Sequence, residues 1–217
     1  MTITTDRLWE RKLARCQAAL EQNNFEVFTA EDPRAAKALV VQAILPKIEV
    51  EIVSWGDSMT LYATGLLDYF KDDGRFAVIE TFAAGLSRRD SIPRRRQAMM
   101  ADLFLTGTNA ATETGVLVNL DMIGNRVAGI TFGPHDVILF VGRNKIVADV
   151  DAAMRRIKNV AAPLNAIRHD IKTPCVKTAD CMDCKSPARI CNIWTIHEKS
   201  YPKGRIKVIL INQDIGL

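Results

Sequence analysis

Four cysteines in the last third of the chain have the residue type and the spacing to hold a metal ion or an iron–sulfur cluster. Cys175, Cys181, Cys184 and Cys191 are separated by five, two and six residues, so only the middle pair forms the Cys-x-x-Cys turn that can place two sulfurs on one ion. Thiolates are soft anionic ligands, and four of them complete a zinc shell or bind every iron of a cubane cluster. Because a zinc ribbon usually carries two such turns, we expect a 4Fe-4S cluster here, with zinc as the alternative.

The surroundings of the four cysteines favour a shielded cluster, although two readings without metal stay open. Several apolar residues of the same segment could exclude water from a cluster and so influence its potential, namely Val176, Met182, Ile190, Ile193 and Trp194. The readings without metal are two disulfides or four ordinary reduced thiols. No secretory signal is recognisable, so disulfides are not expected. Cys16 lies at helical spacing from Leu13 and Leu20 and is expected to be a small buried hydrophobe.

The composition indicates one globular domain spanning residues 1–217, in which 173–194 is a cysteine-rich metal or iron–sulfur segment. Apolar residues make up 48% and charged residues 25% of the chain, as in ordinary soluble proteins. The longest apolar runs, such as 137–141, are far too short to cross a bilayer. A net charge of +4 is smaller than nucleic-acid binding usually requires. We therefore expect a cytoplasmic protein that binds neither nucleic acid nor a membrane.

The elements that must position these residues alternate between strands and helices. Apolar runs predict strands at 25–29, 50–55, 75–82, 103–106, 115–120, 137–142 and 206–211. Helical spacing of apolar residues predicts helices at 6–23, 33–45, 59–70, 92–100 and 149–160. This alternation predicts an α/β fold, a three-layer sandwich with a largely parallel sheet covered on both faces. Ligands bind such sheets outside the carboxyl ends of the strands.

A polar loop between two predicted strands is the best candidate for a ligand site. The segment 106–115 contains hydroxyls, an amide, a carboxylate and two glycines within ten residues. Glu113 is the candidate catalytic residue, because a glutamate can act as a base, a nucleophile or an acceptor. The candidate ligand-binding residues of this loop are Thr106, Gly107, Thr108, Asn109, Thr114 and Gly115. A well-capped turn is the alternative reading, since Thr, Asn and Gly are common in turns.

Two further polar segments follow predicted strands and could meet the same edge of the sheet. Their candidate ligand-binding residues are Asn125, Arg126, Gly142, Asn144 and Lys145. The two cations would favour an anionic ligand. Neither a Gly-x-Gly-x-x-Gly fingerprint nor a Gly-Lys-Ser or Gly-Lys-Thr motif occurs, which argues against dinucleotide and nucleoside-triphosphate sites.

Other polar residues have plainer interpretations. Five arginines within 88–96 could clamp a phosphate or carboxylate, but such a run is more often a solvated helix face. Three widely spaced histidines, His135, His169 and His197, lack metal-binding spacing and are expected to be ordinary residues. Ser58 lacks the Gly-x-Ser-x-Gly elbow and is expected to cap a helix.

Several of these segments together resemble the lactate-utilisation, or LUD, domain family. The resemblance rests on the segments 106–115, 117–121, 124–128, 133–134 and 142–147, and the cysteine-rich segment 173–191 resembles the end of a small stand-alone subgroup. It implies a fold similar to the ribose-phosphate isomerase, glucosamine-phosphate deaminase and CoA-transferase group. It also implies a connection to the oxidation of L-lactate to pyruvate, in which related subunits and iron–sulfur centres pass electrons onward.

Two functions of different kinds are therefore expected to compete. In the first, the chain is a redox or accessory subunit that binds one cluster and a small carboxylate. Because four cysteines hold only one cubane cluster, it would need other lactate-utilisation subunits or an electron carrier as partners. In the second, it is an enzyme of isomerase or acyl-transfer type that acts on a small anionic metabolite, and the cysteines hold structural zinc. A nucleic-acid-binding zinc module ranks third, and a homodimer is possible in any of these cases.

Overall fold

A computed structural model describes residues 2–83 and 85–217, with the side chains of 2–6 and 88 outside the description. Ten strands occur in the described part of the chain: β1 Glu26–Ala30, β2 Ile52–Trp55, β3 Ala77–Ile79, β4 Leu103–Gly107, β5 Ala110–Thr112, β6 Leu117–Asp121, β7 Asp136–Gly142, β8 Ile146–Val147, β9 Ile193–His197 and β10 Ile206–Ile211. The α-helices are α1 Thr2–Gln22, α2 Pro33–Leu39, α3 Met59–Tyr62, α4 Leu66–Asp72, α5 Arg88–Gln97, α6 Asn125–Thr131, α7 Val150–Arg156, α8 Ala162–Arg168 and α9 Cys175–Thr178.

Six strands form the main sheet in the order β1-β10-β7-β4-β2-β3, and every neighbouring pair is parallel. Parallel strands need a crossover connection, which explains why helices lie between most of them in the sequence. The strands that follow β2 in the chain lie on opposite sides of it, with β3 at one edge and β4 toward the centre. The order in which strands are added to the sheet therefore reverses at β2. Sheets of this kind leave a crevice at their carboxyl edge beside such a reversal.

The main sheet is buried on both faces because its central strands alternate between two apolar clusters. In β7, Val137, Leu139 and Val141 join the cluster under α1, whereas Ile138 and Phe140 join the cluster under α2, α3 and α4. All five are fully buried. Strands covered on both faces are apolar at consecutive positions rather than at alternate ones. The predicted α/β class, three-layer arrangement and largely parallel sheet are confirmed.

A second, four-stranded sheet in the order β8-β5-β6-β9 was not expected from the sequence. The run at 115–120, predicted as one more strand of the alternation, is β6 of this sheet, where it pairs antiparallel with β5 and β9. One face of the second sheet packs on the core under α1 through Ala111 and Leu117. Its other face carries Val118 against Ile157, at the end of α7. The strands β5 and β8 are too short to show an alternation pattern, which explains why they were missed.

The predicted helices are present but differ in length and continuity. The helix predicted over 33–45 is α2 followed by a π-helical turn, Val40–Ile44, and the helix predicted over 59–70 is interrupted at Gly65, whose φ is +66°. Ser58 caps α3 by accepting a hydrogen bond from Leu61 N, as expected. No helix in the described ranges is long and apolar enough to cross a membrane.

Gly115, in the turn between β5 and β6, lies close against the backbone of α1. It has a φ of +81°, and a Cβ there would lie 2.5 Å from the carbonyl carbon and oxygen of Ala19. We expect Gly115→Ala to lower the free energy of unfolding by about 2 to 4 kcal/mol, because backbone strain and overpacking add. Gly65→Ala is the matched control, since Gly65 has a similar φ but its nearest neighbour would be 3.9 Å away. Denaturant unfolding of both variants measures the difference, and equal losses would contradict this account of the contact.

Candidate functional site

A cavity of about 630 Å³ opens at the carboxyl edge of the main sheet. Asp57 and Ser58 follow β2, Thr81 follows β3, Thr108 follows β4 and Lys145 follows β7, and all five line it. The cavity therefore lies beside the switch in strand order at β2, where α/β sheets bind ligands. The prediction that a site lies outside the carboxyl ends of the strands agrees with this position.

The charged side chains around the cavity are mostly cationic. Among the described lining residues, four are Lys or Arg and two are Asp: Arg95, Arg126, Lys145, Arg168, Asp57 and Asp121. His169 also lines the cavity. A concave site with a surplus of positive charge concentrates anions and raises their rate of association. The cavity is thus better suited to an anionic ligand than to a neutral or cationic one.

Lys145 is the most deeply buried of these cations, with 4% of its surface exposed. Its Nζ donates to Thr60 Oγ1 at 2.8 Å and to the carbonyl oxygen of Thr108 at 3.4 Å. Burial, together with the positive charges of Arg156 and Arg126, lowers the pKa of Lys145 from its ordinary value of 10.5 to about 7. Near neutral pH this side chain is therefore divided between an ammonium ion and a neutral amine.

Arg126 joins the two sheets beneath the cavity. Its Nη1 donates to Asn119 Oδ1 at 2.6 Å and to the carbonyl oxygen of Gly107 at 2.9 Å. Its Nη2 donates to Asp121 Oδ1 at 2.6 Å and to Asn109 Oδ1 at 2.7 Å. The guanidinium therefore fixes the end of β4 against β6. Asn119 was not selected from the sequence, although an amide inside a strand that is otherwise apolar was a usable signal.

A second polar cluster on the wall surrounds the carboxylate of Asp57. Tyr62 Oη donates to Asp57 Oδ1 at 2.9 Å, Arg168 donates to Oδ2, and His169 Nε2 lies 3.1 Å from Oδ2. Burial alone would raise the pKa of Asp57, but the bonds from Arg168, Tyr62 and His169 and the charge of Arg168 outweigh it and hold the pKa below its ordinary value. Asn165 Oδ1 accepts from Arg168 Nη2 at 2.8 Å and steadies the guanidinium.

Sequence reasoning missed this second cluster. Asp57 and Tyr62 lie at the end of β2 and in α3, whereas Arg168 and His169 end α8, more than a hundred positions later. The only local signal was the polar triplet 56–58 directly after a strand, and nothing local connects it with residues 168 and 169.

The structure brings together six of the eleven ligand-binding residues selected from the sequence. Those that line the cavity are Gly107, Thr108, Asn109, Asn125, Arg126 and Lys145. The others are all described and lie outside the lining, namely Thr106, Thr114, Gly115, Gly142 and Asn144. Gly115 packs on α1, and Asn144 Oδ1 accepts from the backbone of Ile215. The loop 106–115 therefore divides, with its first half at the cavity and its second half against α1.

Glu113, the candidate catalytic residue, is on the side of the loop that faces α1. Its Oε2 accepts a hydrogen bond from Arg15 Nη2 at 2.6 Å, and its Oε1 lies 3.6 Å from Lys12 Nζ. It is a described residue that does not line the cavity. A catalytic role for Glu113 stays a prediction, but its carboxylate is engaged by two cations of α1 rather than directed toward the ligand space.

The described arginines of the run at 88–96 are divided between the cavity and the solvent. Arg95 of α5 lines the cavity, and its guanidinium lies 4.7 Å from the centre of the Phe82 ring. Arg89, Arg94 and Arg96 are exposed, as expected for a solvated helix face. Of the four arginines whose side chains are described, one therefore lines the site and three face solvent.

The four clustered cysteines line one small pocket of about 20 Å³. All four are free and partly exposed, whereas Cys16 is fully buried, as expected. Within the described ranges, no three Cys, His, Asp or Glu side chains are close enough together to hold a metal ion. The thiols thus share a pocket without forming a closed ligand shell.

Two cations hold the cysteine pocket in shape. Arg189 donates from Nε to the carbonyl oxygen of Cys191 at 2.8 Å and from Nη1 to that of Cys184 at 2.9 Å. Lys158 pairs with Asp183. Burial would lower the pKa of Lys158, but the bond to Asp183 and the charges of Cys181, Asp183 and Cys191 raise it. The pocket therefore has positive charge beside the sulfurs.

Ile190 connects the two sites, because it lines both the large cavity and the cysteine pocket. On the other side of the boundary, Ala161 lines the cavity while Ala162 and Pro163, the next residues along the chain, line the pocket. One residue layer therefore separates the space for a ligand from the four thiols.

Comparison with known proteins gives one family. A family model described as the LUD domain matches residues 13–211. A solved structure titled as the crystal structure of a DUF162 family protein from Deinococcus radiodurans aligns with 94% of this chain and 98% of its own, with 17% sequence identity and a TM-score of 0.46. No curated protein matches the chain.

Burial of Lys145 predicts a specific dependence of stability on pH. Because its pKa falls from 10.5 to about 7 on folding, the unfolded chain binds more protons between these values. Stability relative to the Lys145→Met variant should therefore rise with pH across that window, by at most about 1.4 kcal/mol per pH unit, and be lowest below pH 7. Denaturant unfolding of both proteins from pH 6 to 10 measures this difference in the free energy of unfolding. A difference that does not vary with pH would refute the lowered pKa of Lys145.

Proposed function

The chain belongs to the LUD domain family, and from this premise we propose that it is a redox or accessory subunit in the oxidation of L-lactate to pyruvate. Membership supports an involvement in lactate utilisation. The finer proposal adds a small carboxylate in the cavity and one iron–sulfur cluster on Cys175, Cys181, Cys184 and Cys191. Other lactate-utilisation subunits or an electron carrier would complete the reaction. A cytoplasmic location and a homodimer stay predictions.

The observation that carries the proposal is the shared boundary at Ile190. A redox role needs the site that binds the reduced substrate to be near the group that accepts electrons. In this chain the cation-rich cavity and the pocket of four thiols are separated by one layer of side chains. An accidental group of surface cysteines has no reason to lie against the ligand cavity.

The residues of the cysteine pocket suit an iron–sulfur cluster in their chemistry. Four thiols supply the full ligand set of a cubane cluster, and Met182 and Ile190 provide apolar cover. Lys158 and Arg189 place positive charge next to what would be an anionic centre. Because the thiols do not form a closed shell in this structure, binding would draw them together. A bound cluster would supply one-electron transfer, so the two-electron oxidation would need a flavin or another centre in a partner.

The cavity supplies groups that suit a 2-hydroxy acid. Lys145 can attract its carboxylate, whereas Arg126 is already neutralised by Asp121. Oxidation at the hydroxyl carbon also releases the hydroxyl proton. His169, whose Nε2 lies 2.7 Å from Arg168 Nη2 and 3.1 Å from Asp57 Oδ2, is the imidazole on the wall that would receive that proton.

A different function remains as the second candidate, an enzyme that acts on a small anionic metabolite by isomerase-like or acyl-transfer chemistry. In this case the Cys181-x-x-Cys184 turn would hold structural zinc with the other two cysteines. The same cationic cavity favours it. Since Glu113 is paired with Arg15 outside the cavity, such an enzyme would depend on Lys145 or Asp57 for its chemistry.

Iron content tests the cluster. Protein purified or reconstituted without oxygen should contain roughly four irons per chain and show a broad visible absorption that bleaches on reduction. Cys184→Ser should lose most of the iron, because it removes one of four ligands. Cys16→Ala is the matched control and should retain iron, since Cys16 lies on the buried face of α1 and does not line the pocket. Metal analysis with electron paramagnetic resonance decides between the readings. Colourless protein with one zinc per chain would favour the second candidate, and protein without metal would exclude both centres.

Binding of the carboxylate is measured separately, by calorimetry with L-lactate and with pyruvate. Lys145→Met should weaken both affinities by about tenfold or more, because it removes a buried hydrogen-bond donor and cation. The control Lys71→Met should bind normally, since Lys71 pairs with Glu80 at a partly exposed position outside the lining. Glu113→Gln should also bind normally. Loss of binding in Glu113→Gln, or unchanged binding in Lys145→Met, would contradict the assignment of the cavity.

A further inference from the structure

Lys145 has the surroundings of a nucleophilic amine rather than those of a permanent cation. A neutral primary amine has two N–H donors and one lone pair, whereas an ammonium ion has three donors. Two acceptors surround Nζ, the hydroxyl of Thr60 at 2.8 Å and the carbonyl oxygen of Thr108 at 3.4 Å. No acidic side chain in the described part of the chain forms an ion pair with it. The protein thus provides partners for the neutral form and leaves the third position toward the cavity.

The elements packed around the amine also favour its neutral form. The charged groups that act on it are Arg156 of α7 and Arg126 of α6, and both are positive. Thr60 of α3 is itself held in place, because its hydroxyl donates to the carbonyl oxygen of Ile215 at 3.5 Å. Gly216 closes the other side, since a Cβ at that position would lie 2.9 Å from Nζ. These contacts therefore fix the position of the nitrogen.

We propose that Lys145 Nζ forms a carbinolamine and then an imine with the carbonyl carbon of a 2-oxo acid bound in the cavity. The choice of a 2-oxo acid rests on the proposed function, in which pyruvate is the product of lactate oxidation. Neutral aldehydes are disfavoured, because the protonated imine is positive and lies beside Arg126 and Arg156. The carboxylate next to the reacting carbon supplies the missing negative charge.

The reaction needs no oxidant or further reactant. The nitrogen lone pair forms the N–C bond while the carbonyl π electrons move to oxygen, and one amine proton is transferred to that oxygen to give the carbinolamine. Elimination of the hydroxyl group with the second amine proton releases water and forms the C=N bond. Thr60 is a positioning residue in this scheme, because it accepts an N–H bond and so orients the lone pair.

Reductive trapping tests the imine on the full-length protein. Pyruvate with sodium borohydride should attach a reduced adduct to Lys145, found by intact mass and peptide mapping, and L-lactate should give none because it has no carbonyl. The initial trapping rate of the wild type should rise with pH through a midpoint near 7, rather than near the 10.5 of an ordinary lysine. Lys145→Met should abolish the adduct, and Lys71→Met should keep it.

Two further variants separate chemistry from folding. Thr60→Val should slow trapping by about tenfold, because one hydrogen bond to the amine is lost, and Thr60→Ser should restore it. Adducts spread over surface lysines without an excess at Lys145 would overturn the imine, as would saturable pyruvate binding that gives no adduct. In the second case the carboxylate site of the proposed function would stand. Absence of any binding of pyruvate or L-lactate would refute both the imine and the carboxylate site. The iron measurement does not depend on the binding or trapping results.

Discussion

The buried guanidinium of Arg126 is the interaction on which the site depends. It bonds the carbonyl oxygen of Gly107 at the end of β4 and the side chains of Asn119 and Asp121 in β6, and so joins the two sheets. Asp121 in turn accepts from the backbone N–H groups of Arg126 and Val127 at the start of α6. A buried ion pair with all its bonds made is costly to break, because either partner alone would be left charged and without water. The floor of the cavity is therefore held rigidly.

This ion pair also determines the electrostatics of the cavity. Asp121 neutralises Arg126 and Asp57 neutralises Arg168, whereas Lys145 forms no ion pair with an acidic side chain in the described part of the chain. Lys145 is buried and has two positive neighbours, so its ammonium form is disfavoured. An arginine at this position would remain charged. The lysine can bind an anion in one protonation state and act as a nucleophile in the other.

The cysteine segment packs against α8 and the turn before it. This region presents Ala161 to the cavity and Pro163 to the thiols, and Ile190 completes the boundary from the other side. Outside the short helix α9, the segment has little regular structure up to β9, and Arg189 holds it through the carbonyl oxygens of Cys184 and Cys191. Binding of the proposed cluster would rearrange this segment. Because Ile190 lines both spaces, the shape of the cavity would then change as well.

The sequence alone determined the class of the fold, the position of the site at the carboxyl edge of the sheet and the group of four cysteines, because periodicity and spacing are local properties. Gly107 and Lys145 were found for the same reason, since each lies at the end of a buried strand or within three residues of it. Only the tertiary structure decided that Glu113 turns toward Arg15 and that Asp57 meets Arg168, pairs that are 98 and 111 positions apart. The short strands β5 and β8 of the second sheet likewise have no pattern of their own. Such contacts arise from the way helices and sheets pack against each other, and local sequence carries no record of that packing.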